Sequence, residues 1–386
     1  MAKARALYIC PATQAAIVAA APAIMAGRDY DVTTMLLLKG VADPDKPTPF
    51  ERSDAIRAGC GIRKFFEGIG TTVIEALAPA DSYPAWAAKV QDALTPELLA
   101  DVDVILVNGQ AGTKQMSAGA WDGSLGATHA FQGRNLPVRR AFVAAGASIS
   151  VQYDAGQAGI DDMTIDSYLQ LYGFMEVDPA FRTRVEEWIV ARRRDIIRWW
   201  DAKLKPHPDQ AGIVRIVNGL MVAAHHPPCP WNFDQLMTGG YWLEAATYLN
   251  AKDFLAAAPA GGHVAAGIKI WDWAETESDV PERRDGRQMN HYEVDAAIMT
   301  GGILHLLECK NVAGGVTQEM IHKQGTLRSL LQGRGGVNAI ITTKTPAPNS
   351  VIGLKAANRQ IQCFRPTVEE LSKCLGRIFP RRTAPR

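Results

Sequence analysis

The sequence predicts an α/β protein of two domains, a doubly wound parallel sheet followed by a second α/β half with its own sheet. Three observations lead there. Through the N-terminal part, short continuous apolar runs alternate with helix-like segments, the signature of parallel strands buried on both faces. At 386 residues the chain exceeds one typical core. Beyond a Pro-rich stretch, His225 to Trp231, the order becomes helix, three strands, helix, strand. The 47% hydrophobic and 21% charged residues are ordinary globular proportions, so both halves can bury a core.

Taken in order, Leu7 to Cys10 reads as a strand, followed by an Ala-rich helix, a strand Val32 to Leu38, a helix around Ile62 to Gly68 and a strand Thr72 to Leu77. A helix near Trp86 to Leu94, a strand Val104 to Val107 and a strand Ser148 to Tyr153 continue the alternation. Ligands of such sheets bind beyond the carboxyl ends of the strands. Asp178-Pro179 then opens one long helix, Asp as N-cap and Pro in the first turn. Phe181, Val185, Trp188, Ile189, Ile196 and Trp200 share a side of it, which suits an amphipathic connector over 178–230. A helix from Phe233 to Leu255 follows, then a strand Ile268 to Trp273, a charged loop with Arg283, Arg284 and Arg287, and a hairpin over 294–310. A helix from Thr317 to Leu331 and a strand Val337 to Thr343 complete the expected half. The implied domains are 1–177, a helical connector 178–230, and 231–386.

Charge and cysteine usage narrow the partners. The formal net charge is +1, yet from Asn311 onward 4 Lys and 8 Arg face 3 Glu and no Asp, a local excess of +9. Such a basic end suits a polyanion, as it also suits plain solvated surface. Six Cys without a CxxC pair read as reduced thiols in a cytoplasm. The Ala15 to Ala26 run is too short for a membrane span and is broken by Pro22. His225-His226-Pro-Pro-Cys229 has no second ligand pair and reads as a structured loop.

The chemistry concentrates in VDAAIMTGGILHLLECK, residues 294–310. Gly301-Gly302 supplies the positive φ angles of a two-residue hairpin turn. With Thr300 paired to Ile303, Asp295 falls opposite Glu308 and Glu293 opposite Lys310, all on one face. Directly opposed Cβ atoms lie about 5 Å apart, where two bare carboxylates repel. Either the strand is exposed and carries an ion-pair ladder, or a cation sits there. Oxygen ligands from paired carboxylates suit Mg2+ or Mn2+, with Lys310 as a fixed charge beside the ion. Such a set can activate a water and stabilise a leaving oxygen in phosphodiester hydrolysis. Glu244, on the helix preceding the sheet, is either a further metal ligand or an ordinary helix residue. No Walker A loop and no GxGxxG follow a strand here, which argues against ATP hydrolysis and dinucleotide chemistry.

Glu-Val-Asp295 followed by Leu-Leu-Glu308-Cys-Lys310 resembles the D-x(n)-E-x-K core of the PD-(D/E)xK nucleases. With Gly240-Tyr-Trp-Leu-Glu244 before it and LRSLLQGRGG, Leu327 to Gly336, after it, the segment is similar to the nuclease half of cyclic-oligoadenylate-activated CRISPR ancillary nucleases. Tyr292 stands where that family has Asn. Independently, Asn108-Gly-Gln-Ala-Gly112-Thr113-Lys114-Gln-Met116 is similar to the Asn-x-x-Gly-Gly-Thr-Lys-x-Met signature of CARF domains, the Rossmann-like sensors of type III CRISPR systems, with Ala111 replacing the first Gly. Gly112 lets backbone approach a ligand, Thr113 offers a hydroxyl, and Lys114 a cation at a helix start.

The resemblance implies a Rossmann-like CARF domain followed by a restriction-endonuclease-like PD-(D/E)xK domain, assembled as a homodimer. A twofold ring ligand matches a twofold interface. It implies a cytoplasmic antiviral nuclease, activated by cyclic oligoadenylate, above all cyclic tetra-adenylate, held by Thr13, Gln14, Asn108, Gly112, Thr113 and Lys114. It implies Mn2+ or Mg2+ on Glu244, Asp295 and Glu308, with Lys310 completing the catalytic set, and as substrate DNA, cut as a single strand or nicked as a duplex, with single-stranded RNA second. Two rivals keep the same residues: a cyclic-oligonucleotide-binding regulator with an inactive nuclease half, and a restriction- or repair-type DNA nuclease needing no activator.

Overall fold

Four of the apolar runs of the first half become adjacent parallel strands, and the run expected over Ser148 to Tyr153 an antiparallel one, in the structure, a computed structural model. It describes residues 3–13, 16–41, 54–130, 136–145, 149–153, 156–159, 163–205, 207–222, 227–258, 262–272, 291–311, 314–331 and 336–379. Gln14, His225, His226 and Arg283, Arg284 and Arg287 lie outside these residues. The chain divides into two units, the first comprising 1–160, 166–175 and 272–288, the second 161–165, 176–271 and 289–386.

In the first unit the elements run β1 (Ala4–Pro11), α1 (Ala16–Ala26), β2 (Tyr30–Val41), α2 (Asp54–Gly68), β3 (Thr72–Pro79), α3 (Tyr83–Ala93), α4 (Pro96–Leu99), β4 (Val104–Asn108), α5 (Lys114–Ala130), β5 (Val138–Ala145), β6 (Ile149–Tyr153), β7 (Gly156–Gly159) and α6 (Ile165–Leu171). Among the described residues they form a seven-stranded sheet ordered β3-β2-β1-β4-β5-β6-β7. The ladders from β3 to β5 are parallel, and β6 and β7 add an antiparallel edge. All five residues of β4 and the last six of β1 are buried. The order reverses between β1 and β4, so the loops after those two strands face one crevice, where ligands of open α/β sheets bind. Leu7, Leu36, Ile105 and Val107 pack beneath Trp86 and Val90 of α3 in one core.

The second sheet is six-stranded among the described residues, ordered β13-β12-β11-β10-β9-β8. Its elements are β8 (Phe174–Glu176), α7 (Pro179–Ala191), α8 (Arg193–Leu204), α9 (Gln210–Val222), α10 (Phe233–Thr238), α11 (Tyr241–Ala257), β9 (Gly262–Asp272), β10 (His291–Thr300), β11 (Ile303–Lys310), α12 (Gln318–Leu331), β12 (Asn338–Thr342), α13 (Val351–Asn358), β13 (Gln362–Phe364) and α14 (Val368–Ile378). β9, β10 and β11 form an antiparallel meander, and β12 and β13 join in parallel through α12 and α13. The core gathers Trp188, Trp199, Trp200 and Trp242 with Ile298, Leu307 and Ile341. Burying each such aromatic or aliphatic side chain is worth about 2 kcal/mol or more before entropy is counted.

The segment expected as a connector over 178–230 is built into this core: α7, α8 and α9 contribute Val185, Trp188, Ile196, Trp200, Ile213 and Val217 to it. Two helices expected to be continuous are interrupted. Asp178 caps α7 through the Phe181 N–H as expected, but the helix ends at Arg192, where φ is −103° and ψ 14°. The buried stripe continues across the break, so periodicity alone does not reveal it. The Phe233 to Leu255 helix splits at Gly239-Gly240, because Gly239 takes an extended backbone with ψ 171°.

Candidate functional site

The hairpin turn is built as its sequence requires: Gly301 and Gly302 have φ of 56° and 74°, a region costly for other residues and native to two-residue hairpins. From this turn the register runs as expected, Thr300 opposite Ile303 out to Ala296 opposite Leu307. There the ladder ends. The Cys309 N–H, which would otherwise bond across to β10 backbone, donates instead to the Asp295 carboxylate at 2.6 Å. The expected direct opposition of Asp295 to Glu308 and of Glu293 to Lys310 is therefore replaced by a splayed end, and Glu293 pairs across β9 with Lys269. On its other side β10 pairs Val294 with Ile268 and Ala296 with Ala266. Between these two pairs Gly267 has φ +60°, a bulge-like interruption facing Asp295.

The carboxylates of Asp295 and Glu308 nonetheless meet on one face. The Lys310 ammonium lies 2.6 Å from Glu308 Oε1 and 3.6 Å from Asp295 Oδ2. Asp295 and Glu308 are 5% and 2% exposed, too little for a solvated surface ladder. Burial, then Glu308, push the Asp295 carboxyl up to about 7, against the opposing pull of Lys310 and the Cys309 N–H. The Lys310 ammonium is disfavoured by its burial, but Asp295 and Glu308 overcome this and raise its pKa. Glu244, in the first turn of α11, belongs to the same charge cluster: burial and then Asp295 and Glu293 hold its carboxyl well above the usual range.

Lys323 of α12 completes the cluster and was not anticipated from sequence; its ammonium lies 3.5 Å from Glu308 Oε1. A lysine on the helix after the strand motif gives no local signal, because only the crossover brings it back over β11. Tyr241 was not assigned a role either, although it stands in the quoted helix motif. Its hydroxyl is raised by burial and then by Glu244, Glu293 and Asp295.

The donor set fits a hard divalent cation. Its side-chain ligands are all carboxylate oxygens, acids outnumber lysines, and Glu308 Oε2 is buried without a hydrogen-bond partner. Among the described residues no three His, Cys, Asp or Glu side chains converge on a common point. Asp295 and Glu308 are instead drawn onto Lys310, so binding an ion there requires side-chain rearrangement.

In the first unit the loop after β4 lines a cleft of about 360 Å³ with Gln110, Gly112, Thr113, Lys114, Trp121 and Arg140. Gly112 has φ +74°, and a Cβ there would lie 2.8 Å from Pro11 Cβ, so the position demands glycine twice over. Thr113 donates its hydroxyl to Ala80 O at 2.6 Å and accepts the Met116 N–H at the start of α5. Lys114 is exposed beside it. Arg140, 4.0 Å above the Trp121 ring, adds a second cation. Asn108 is fully buried: its amide donates to Tyr8 and to the Val18 and Ala19 carbonyls, and its oxygen accepts the Gln110 and Ala111 N–H groups. It shapes the loop from behind rather than facing the cleft. Thr13 is half-buried on the loop after β1 and is not among the cleft-lining residues.

All six cysteines are unpaired, and among the described residues no helix is long and apolar enough to cross a membrane. No protein-family description and no curated protein sequence matches the chain. Solved structures do. Can2 from Sulfobacillus thermosulfidooxidans, in complex with cyclic tetra-adenylate, matches with TM-score 0.58 and 17% identity over 97% of this chain and 98% of its own. Protein VC1899 from Vibrio cholerae matches with TM-score 0.63 and 13% identity over 97% of each chain. A type III CRISPR defence DNA nuclease activated by cyclic oligoadenylate matches with TM-score 0.57 and 17% identity over all of this chain and 53% of its own. Over nearly its whole length, the chain has the two-unit α/β fold of these proteins.

Proposed function

We propose that this chain is a metal-dependent endonuclease whose cutting is switched on by a cyclic oligoadenylate, a ligand of the CARF class of sensor, held by the first unit. The observation that carries the reading is the buried convergence of Asp295 and Glu308 on Lys310, beside Glu244 and with Glu308 Oε2 unpartnered. Buried like charges cost stability, and a polyanion-cutting site accounts for retaining them. Glu244, Asp295 and Glu308 would hold Mg2+ or Mn2+. Bound there, the ion would supply Lewis acidity toward the phosphate and lower the pKa of a coordinated water. Lys310 would place an ammonium against the non-bridging phosphate oxygens, and Lys323 would hold Glu308 in position.

The cleft of the first unit supports the activator. Gly112 and the adjoining amides open a path for phosphate, Lys114 and Arg140 supply two cations, and α5 starts at Lys114, where helix dipoles favour anions. The structural neighbours include a complex with cyclic tetra-adenylate and a DNA nuclease activated by cyclic oligoadenylate, which supports both halves of the reading. A homodimer presenting two such clefts to one ring is part of the proposal, as is DNA as the main substrate with single-stranded RNA second.

The test is one panel: labelled single- and double-stranded DNA and RNA, with manganese or EDTA, each with no activator or with cyclic tri-, tetra- or hexa-adenylate. Cutting is expected with manganese and cyclic tetra-adenylate together. Cutting that ignores every cyclic oligonucleotide would remove the sensor from the reading, and a chain that binds activator but never cuts would reduce it to a regulator.

A further inference from the structure

Beside the carboxylates of the second unit lies a separate aromatic cleft of about 270 Å³, smaller than the range typical for drug-sized ligands and on the scale of one heterocycle. Phe181, Trp231, Tyr241, Gly267 and Lys269 line it, and Glu244 and Glu293 belong to both the cleft and the charge cluster. Trp231 stacks on Tyr241 with ring centroids 4.5 Å apart and planes 28° from parallel. Trp188 braces Trp231 edge-on at 5.3 Å. The Tyr241 hydroxyl lies within the field of Glu244, Glu293 and Asp295. One side chain thus belongs to both an aromatic stack and the acidic site.

One cation, Lys269, lines the cleft, and a second lies against its Phe181 wall. Lys269 Nζ lies 5.8 Å from the Phe181 ring centroid and the Arg184 guanidinium 5.7 Å from it. Both charges are available to a polyanion approaching Phe181. Gly267 lines the cleft without a side chain: its backbone has φ +60°, and a Cβ built on it would meet no atom within 4 Å. Aromatic faces flanked by Lys and Arg are the recurrent means of holding an unstacked base of a single strand.

We propose that this cleft receives one nucleobase of the strand being cut, the base next to the phosphate at the carboxylates. The proposal rests on the nuclease reading above and adds to it a preference for single-stranded or locally opened substrate. A base held there fixes the register of the strand, so that one phosphate falls at Asp295 and Glu308.

The test uses the full chain with manganese and activator and a labelled single-stranded DNA in which each nucleotide in turn is made abasic. One position beside the cut bond is expected to lower kcat/KM roughly 5- to 100-fold, the range that base stacking on aromatics supports. Replacements elsewhere should have little effect. Gly267→Asn provides an independent arm, since Asn tolerates the left-handed backbone and its side chain would take up open space at a residue that lines the cleft. It should weaken strand binding by a comparable factor, and by the same factor in the Glu308→Gln chain without manganese, which separates the base site from any effect on the ion. 2-Aminopurine at the sensitive position should lose fluorescence on binding to the Glu308→Gln chain and should not do so with Gly267→Asn added. A flat abasic profile in a chain that cuts, or Gly267→Asn binding and cutting as the parent does, overturns the base site and leaves the nuclease standing. A chain that neither binds nor cuts any strand overturns both.

Discussion

The carboxyl of Asp295 is lifted to about 7 first by burial and then by Glu308, so its ionisation works against the fold. A carboxyl whose folded pKa exceeds its unfolded value contributes stability at pH below about 4 and loses it as pH rises to about 7. In EDTA, Asp295→Asn should therefore raise stability at pH 8 by about 1 to 3 kcal/mol and leave it little changed at pH 4, because the amide oxygen can still accept the Cys309 N–H. Denaturant melts at the two pH values measure this, and a variant less stable than its parent at pH 8 would contradict it. The same substitution should cut activity at least about 100-fold, a site that trades stability for chemistry. His305 has the opposite sign. Burial lowers it to about 4, while its Nδ1 accepts the Val337 N–H at 3.0 Å. The unfolded chain takes up a proton near pH 6.5 and the folded chain does not, so stability should fall between about 6.5 and 4 by on the order of 3 kcal/mol. His305→Asn keeps an acceptor and should flatten that slope. At this scale the sequence displayed Asp295, Glu308 and Lys310, because a strand's period of two puts them within reach. It concealed Lys323, whose approach depends on where α12 lands.

Elements explain which parts of the fold were legible. The hairpin was, since Gly301-Gly302 and the flanking apolar runs specify turn and register locally. Its splayed end was not, since that depends on Gly267 in β9 and on the Cys309 N–H choosing a side-chain acceptor. The breaks at Arg192 and Gly239 interrupt helices whose buried stripes continue on either side. β8 and β13 have three residues each, too few for periodicity to declare. The loop between β4 and α5 carries the prediction proper to this scale. Gly112→Ala would require a left-handed alanine with its Cβ 2.8 Å from Pro11, at a local cost of order 1 to 3 kcal/mol. Calorimetry with cyclic tetra-adenylate should find binding weakened about tenfold or more, with manganese affinity of the second unit unchanged. Undiminished binding would move the activator away from this loop.

At the scale of the whole molecule, the proposed activation is a coupling free energy, and coupling is reciprocal. If the activator strengthens binding of a single strand by some factor, the strand must strengthen binding of the activator by the same factor. The Glu308→Gln chain, expected to bind without cutting, allows both to be measured; no change in either affinity would show that the activator acts on the catalytic step alone. In the first sheet β1, β2, β3 and β4 were readable from their apolar runs, whereas β5, with Arg139 and Arg140 inside VRRAFVAA, was not. The place of the 178–230 helices was not, because an amphipathic stripe reveals that a surface is covered and not what covers it. Beneath the proposed nuclease lies one claim, that Asp295 and Glu308 together hold a divalent ion. It is tested most directly by titrating the full-length chain with Mn2+ under electron paramagnetic resonance, beside Asp295→Asn and Glu308→Gln. The account predicts specific manganese binding by the parent chain and its weakening by about tenfold or more in each variant. Equal manganese binding by all three chains, or binding by none, would contradict it.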